Sequence, residues 1–253
     1  MIDLHSHILP GVDDGAATLE ASVEMARSAV ADGIEAVAAT PHVRRDYPTS
    51  PATMEERLAE VREALAVEGV PLEVLGGGEL DLELLGELAD DDLRRFGLGG
   101  NPAVLLLEFP YHGWPLGIGD TVFGLRSRGF RPVIGHPERN PEVQARPERL
   151  APFVETGALV QLTAASLDGR LGRTARATGL RLLELELAHL VASDAHAPSI
   201  RQIGMTAASE AVRDPALARW LTVDVPGALV RGESIPERPE RPRSGRRRLL
   251  RRP

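Results

Sequence analysis

The sequence predicts an α/β protein built as a parallel β/α barrel, on three observations. From residue 1 to about 223, short apolar runs of strand length alternate with longer stretches of helical period. Turn residues separate the runs, and no internal linker or sequence repeat interrupts them. There are seven such units without a second composition type, so a 253-residue chain favours one barrel over two separate domains. A doubly wound sheet is the alternative that the pattern alone leaves open.

The predicted strands are residues 2–7, 34–40, 72–78, 103–109, 132–136, 158–163 and 189–193. The predicted helices are 18–32, 51–68, 120–129, 147–156, 170–179, 200–213 and 215–221. Thr18 ahead of Glu20 and Glu24, and Ser50-Pro51 ahead of Glu55 and Glu56, place a capping oxygen and negative charge at two helix starts. Asp90-Asp91-Asp92 reads as another solvated helix end. Beyond Ile235 the composition turns to proline and arginine without aliphatic periodicity, which cannot build a core. Residues 1–235 are therefore expected to form the barrel and 236–253 a disordered basic tail.

Composition removes several chemistries. At 43% hydrophobic the chain can bury a sizeable core. It has no cysteine, which excludes disulfides, thiolate metal sites and a cysteine nucleophile. Every one of its 29 cationic residues is arginine, so a lysine Schiff base, a P-loop lysine and a carbamylated lysine are excluded too. Eight arginines fall in the tail (238, 241, 243, 246, 247, 248, 251 and 252), while residues 1–236 hold 21 arginines against 35 acids. So acidic a body is a poor sequence-independent binder of nucleic acid. The start, Met1-Ile2-Asp3-Leu4-His5, shows no signal-peptide pattern, and no long apolar run follows. The expected location is the cytoplasm.

Ionisable residues sit at the ends of the apolar runs: His5 and His7, His42, Glu79, Glu108, His136, then Asp194 and His196. In a β/α barrel the carboxyl ends of the strands share one mouth, so these side chains would converge there. Residues i and i+2 on a strand point to one side, which pairs His5 with His7 and Asp194 with His196. So many acids and imidazoles are costly to bury together unless cations hold them. Nitrogen and oxygen donors without sulfur suit Mn²⁺, Fe²⁺, Zn²⁺ or Mg²⁺. With no lysine available to bridge two metals, a carboxylate such as Glu79 must do so.

The segments His5-Ser6-His7 through Asp13-Asp14-Gly15, Thr40-Pro41-His42, Gly78-Glu79-Leu80, Leu107-Glu108-Phe109, Gly135-His136-Pro137-Glu138-Arg139 and Ser193-Asp194-Ala195-His196 resemble the PHP (polymerase and histidinol phosphatase) family. Within it, the opening segment and the His136–Arg139 segment resemble the CpsB/CapC type: metal-dependent, cysteine-independent protein-tyrosine phosphatases of bacterial capsular and extracellular polysaccharide systems. The resemblance implies a distorted (β/α)₇ TIM-like barrel, the PHP fold, with three divalent metals in its mouth, most simply Mn²⁺. It implies that His5, His7, Glu79 and Asp194 hold one metal, that Glu79 bridges to a second bound also by Glu108 and His136, and that Asp14, His42 and His196 hold the third. Asp14 matches the family's acid before Gly15, and Asp13 would serve the turn or support a ligand. Arg139 matches an arginine near the substrate phosphate, and Arg201 matches another.

The implied partner is a phosphotyrosine-bearing bacterial tyrosine kinase that controls polysaccharide assembly. The expected mechanism is in-line attack by a metal-bridging hydroxide, without a phosphoenzyme, while Arg139 grips the phosphate. Phenolate, with a parent pKa of about 10, leaves readily, so a strong general acid matters less than for an alkyl phosphate. Two alternatives stand beside this: a phosphatase for histidinol phosphate or another small molecule on the same barrel, and a non-catalytic module that binds the kinase. Outside the ligand set, Arg44-Arg45 reads as an exposed loop pair that could steer phosphate. Tyr111-His112-Gly113-Trp114 reads equally as loop packing or as a stack for a phosphotyrosine ring. Gly76-Gly77-Gly78 would let the backbone approach the metals, and the arginine tail would make weak contact with an anionic membrane.

Overall fold

The computed structural model of the chain describes residues 1–197 and 202–240. Among these residues, ten strands follow the predicted β/α order: β1 (Ile2–Ser6), β2 (Ala36–Ala39), β3 (His42–Arg44), β4 (Tyr47–Pro48), β5 (Glu73–Leu75), β6 (Glu79–Asp81), β7 (Val104–Glu108), β8 (Arg131–Gly135), β9 (Leu159–Thr163) and β10 (Leu190–Ala192). They form two hydrogen-bonded sheets, β1-β2-β5 and β10-β9-β8-β7-β6-β3-β4, parallel except for the β3–β4 pair. A bridge between Ser6 and Ala195 joins the first sheet to the far edge of the second, where His7 N–H donates to Ala195 O at 2.8 Å and Asp194 N–H to His5 O at 2.9 Å. The result is a distorted seven-position barrel, as expected.

The distortion has a sequence cause. The predicted strands 34–40 and 72–78 each stop short, and the chain then steps across to the other sheet. Pro41 lacks an N–H to continue the ladder, so β2 ends at Ala39 and β3 restarts at His42. The glycines at 76–78 make the same step between β5 and β6. The two steps meet: Glu79 N–H donates to Pro41 O at 3.0 Å, and His42 lies opposite Glu79 in the β3–β6 register. His42 and Glu79 therefore begin short strands instead of ending long ones.

Helices cover the barrel: α1 (Leu19–Ala31), α2 (Pro51–Val67), α3 (Asp90–Arg95), α4 (Ile118–Ser127), α5 (Pro141–Ala145), α6 (Ala151–Glu155), α7 (Ala164–Leu167), α8 (Arg173–Glu184), α9 (Thr206–Val212), α10 (Pro215–Arg219) and α11 (Val225–Arg231). Thr18 and Ser50 cap α1 and α2, accepting from Ala21 N and Thr53 N, and the three aspartates fill the first turn of α3. The prediction ended a helix at Gly179, but α8 runs on to Glu184. An added Cβ at Gly179 would lie 3.0 Å from Leu167 Cδ2, so the glycine serves close packing and does not end the helix. A π-turn at Trp220–Asp224 links α10 to α11. The fully buried side chains include Leu4, Ile8, Leu9, Phe96, Phe109 and Phe130.

The tail departs from expectation at its start. Arg238 donates to Ala188 O at 2.7 Å and Leu183 O at 3.0 Å and lies over the Trp220 ring, whose N–H donates to Pro236 O at 3.0 Å. An indole N–H and its ring face thus give this Pro/Arg segment a seat that composition does not reveal. Residues 241–253 lie outside the described residues. No helix among the described residues is long and apolar enough to cross a membrane.

Candidate metal centre

All nine predicted ligand side chains meet at one end of the barrel. His5 and His7 leave the end of β1, Glu108 ends β7, His136 follows β8 directly, and Asp194 follows β10 with only Ser193 between. His136 and Asp194 adopt positive φ, 37° and 52°, where side chains other than glycine are strained. His136 is the turning point into the short helical turn Pro137–Arg139.

Glu79 sits at the middle of the cluster, 1% exposed. Its Oε1 lies 2.7 Å from His136 Nε2, and its Oε2 lies 3.4 Å from both His5 Nε2 and His7 Nε2 and 3.0 Å from His42 Nδ1. Asp194 Oδ1 stands 3.5 Å from His5 Nε2 and 3.6 Å from His7 Nε2. Asp14 Oδ1 is 3.3 Å from both His42 Nε2 and His196 Nε2. Ligand atoms converge in four overlapping groups: His5/Glu79/His136, His5/His7/Asp194, His7/Asp14/His42/His196 and His42/Glu79/Glu108. Glu108 thus falls beside His42 and Glu79, whereas the family pattern paired it with His136.

A test of fit comes from buried atoms. Glu79 Oε2 and His42 Nδ1 are buried and close, yet neither makes a well-aligned hydrogen bond. Donor atoms that face a common point without bonding one another suit a shared cation. Nitrogen and carboxylate oxygen also make a sound donor set for a divalent metal. The residues fit.

Several side chains aim the ligands. His7 Nδ1 donates to Asp13 Oδ2 at 2.7 Å, and Asp13 also accepts from Gly15 N and His42 N, both at 2.9 Å. His5 Nδ1 lies 2.8 Å from Gln161 Oε1, and His196 Nδ1 lies 3.0 Å from Asp194 O. The sequence reading missed Gln161. Its signal was a lone amide inside the apolar run of β9.

Burial alone would raise the carboxylates and lower the imidazoles, but proximity outweighs it. Against the downward pull of burial, Glu79 and Asp194 raise His5, Asp13 with Asp194 and Glu79 raises His7 further, and Asp14 and Glu79 push His42 up to about 9. Burial would raise Glu79 and Asp194, yet the imidazoles around them hold both well below the usual carboxylate range. Glu108 goes the other way, pushed up by burial and by the Glu79 charge. Protons shared between rings and carboxylates hold the cluster together, and a bound cation would displace them.

Arg139 lies at the rim, donating to Asp194 Oδ2 at 2.6 Å, with its guanidinium 4.5 Å from the Tyr111 ring centre. Arg201 lies outside the described residues. Arg44 is more than a loop cation, since it donates to Glu108 Oε1 at 3.0 Å and packs over Tyr47, which stacks on His42. Arg45 is exposed and pairs with Glu87. Tyr111 lies parallel to the His136 ring, 5.5 Å away, whereas Trp114 packs on Phe109 and Phe153 under Arg149. A cleft of about 550 Å³ beside Glu108 is lined by residues including Arg44, Tyr111 and His112. A Cβ at Gly77 would lie 3.1 Å from Thr40 Cγ2 and one at Gly78 2.7 Å from Phe96 Cδ1, so these two glycines allow close packing.

A barrel whose mouth gathers histidines and carboxylates able to hold a metal is the site of a metal-dependent hydrolase. Residues 1–219 match the family model "Capsular polysaccharide synthesis, CpsB/CapC", and the chain belongs to that family. It is 42% identical over 198 residues to the tyrosine-protein phosphatase YwqE of Bacillus subtilis, covering 78% of this chain and 77% of that protein. It is 26% identical over 204 residues to the tyrosine-protein phosphatase CpsB of Streptococcus pneumoniae, covering 78% and 83%. Among solved structures it is similar to a chain from the work on B. subtilis YwqE and S. pneumoniae CpsB, described as unique metal-dependent tyrosine phosphatases. That match has a TM-score of 0.86 and 36% identity, covering 95% of this chain and all of the other.

Proposed function

We propose that the chain is a metal-dependent protein-tyrosine phosphatase, with residues 1–235 as its catalytic barrel. Its substrate is phosphotyrosine on a bacterial tyrosine kinase that regulates capsular or extracellular polysaccharide synthesis. The observation that carries this reading is the convergence of nine ligand side chains around one buried carboxylate, Glu79, in a chain of the CpsB/CapC family. His5, His7, Asp14, His42, Glu79, Glu108, His136, Asp194 and His196 would hold three divalent ions, Mn²⁺ first among the choices. Bound divalent ions acidify water and neutralise charge on phosphoryl oxygens.

The chain's own residues supply position. Arg139, within reach of Asp194 at the rim, offers paired N–H donors to a phosphate, with Arg201 as its sequence-matched companion. Tyr111, held flat against His136, and the cleft beside Glu108 give the tyrosyl ring and its peptide a wall to lie on. With no cysteine a cysteinyl-phosphate intermediate cannot form, and water is the proposed nucleophile.

The test is hydrolysis of a phosphotyrosine peptide beside histidinol phosphate, with Mn²⁺ and after chelation, for the wild type and His136→Ala. We expect Mn²⁺-dependent cleavage of the peptide that His136→Ala removes. Preference for histidinol phosphate would overturn the substrate and keep the metal centre. Inactivity with every metal would overturn the enzyme reading in favour of a kinase-binding module.

A further inference from the structure

Gln161 is a polar side chain in the middle of β9, in the run Leu159-Val160-Gln161-Leu162-Thr163, and it is 1% exposed. Its main chain serves the barrel: it lies in register with Gly135 and Leu190, and its carbonyl accepts from His136 N at 2.9 Å. Its side chain has one contact of consequence, Oε1 to His5 Nδ1 at 2.8 Å. The other end of the amide, Nε2, is buried without a hydrogen-bond partner. A buried amide half-satisfied in this way costs stability relative to an aliphatic side chain of similar size, so packing does not account for a glutamine here.

The chemistry of the imidazole does. For Nε2 of His5 to present a lone pair to a cation, the ring proton must reside on Nδ1, and that N–H needs an acceptor. His7 has a carboxylate for this, Asp13, and His196 has the Asp194 carbonyl. His5 has the neutral oxygen of Gln161. A neutral acceptor fixes the tautomer without adding a charge to a pocket that already holds Glu79, Asp194 and Glu108. His5 also belongs to two of the four ligand groups, so a rotation of its ring would disturb both.

We propose that Gln161 is a positioning residue for the metal centre, holding the His5 ring in the Nδ1–H form with Nε2 turned toward Glu79 and Asp194. The proposal rests on the metal-centre reading above and goes beyond it. Its test is Mn²⁺ binding to the full chain in the absence of substrate, by competition with a chelator, for the wild type, Gln161→Leu and Gln161→Glu. Gln161→Leu should weaken Mn²⁺ binding by about 10- to 100-fold. The melting temperature of its metal-free form should stay within a few degrees of wild type. Gln161→Glu, which keeps an acceptor, should bind within a few-fold of wild type or tighter.

The proposal is overturned if Gln161→Leu binds Mn²⁺ as the wild type does, if both variants weaken equally, or if the metal-free protein loses stability in parallel. A wild type that binds no divalent cation overturns the metal centre itself. That failure is distinguishable, because the three proteins would then be alike in binding none.

Discussion

Asp13 and Asp14 are adjacent in sequence and differ in burial: the Asp13 side chain is fully buried, whereas that of Asp14 is 42% exposed. Asp13 accepts from His7, Gly15 and His42, so Asp13→Ala leaves three buried donors unpaired. It should lower the stability of the metal-free protein by about 1–3 kcal/mol, read by denaturant unfolding. Asp14→Ala removes only a half-exposed carboxylate; it should change metal-free stability far less yet lower the Mn²⁺ retained after gel filtration. Equal effects on both measurements would erase the distinction. Arg139→Lys keeps the charge and loses the planar fork, so kcat/KM on a phosphotyrosine peptide should fall at least about tenfold with metal retention unchanged. The other eight ligand positions were legible in sequence because they sit at the ends of apolar runs, whereas Asp14 and Arg139 were legible only through the family resemblance. Gln161 was not, because it lies inside such a run and its partner His5 is 156 positions away.

Elements set the site through their interruptions. Residues 34–40 and 72–78 read as single strands, because Thr40-Pro41 and the triple glycine resemble strand ends. Only pairing across the barrel shows that the chain changes sheets there and sets His42 against Glu79. The loop after β1 depends on Gly15, where a Cβ would lie 2.1 Å from His7 O and 2.4 Å from His7 Cβ. Gly15→Ala must displace backbone, carrying Asp13 and Asp14 with it; Mn²⁺ retention should drop although no ligand has changed, and full retention would count against this account. At the opposite end of β10, burial and then the neighbouring Arg238 charge push His189 down to about 4. Its folded pKa lies below its unfolded value of about 6.5. Its contribution is therefore complete above pH 6.5 and is lost as pH falls toward 4. Between pH 7 and 4.5 the wild type should lose more stability than His189→Asn, which keeps an acceptor for Val160 N–H without titrating there. Parallel pH curves would refute this.

For the whole molecule, the cluster couples folding to cation binding. Imidazolium–carboxylate pairs hold the metal-free mouth together, and a cation bound only by the folded chain adds RT ln(1 + [L]/Kd), about 2.7 kcal/mol at a hundredfold excess over Kd. Mn²⁺ should raise the melting temperature by several degrees, EDTA should reverse the shift, and His136→Ala should shrink it. The barrel class was legible in the alternation of apolar runs, since each β/α unit is written locally. Its closure through Ser6 and Ala195 was not, nor was the seat of Arg238, because both join residues far apart in sequence. Arg238 is bonded to Ala188 and Leu183, which precede β10, whereas the ligands Asp194 and His196 lie past its other end. The chain thus enters its arginine-rich segment from the closed base of the barrel. The seat of Arg238 and the ligand mouth lie at opposite ends of β10, so a partner that engages one leaves the other open.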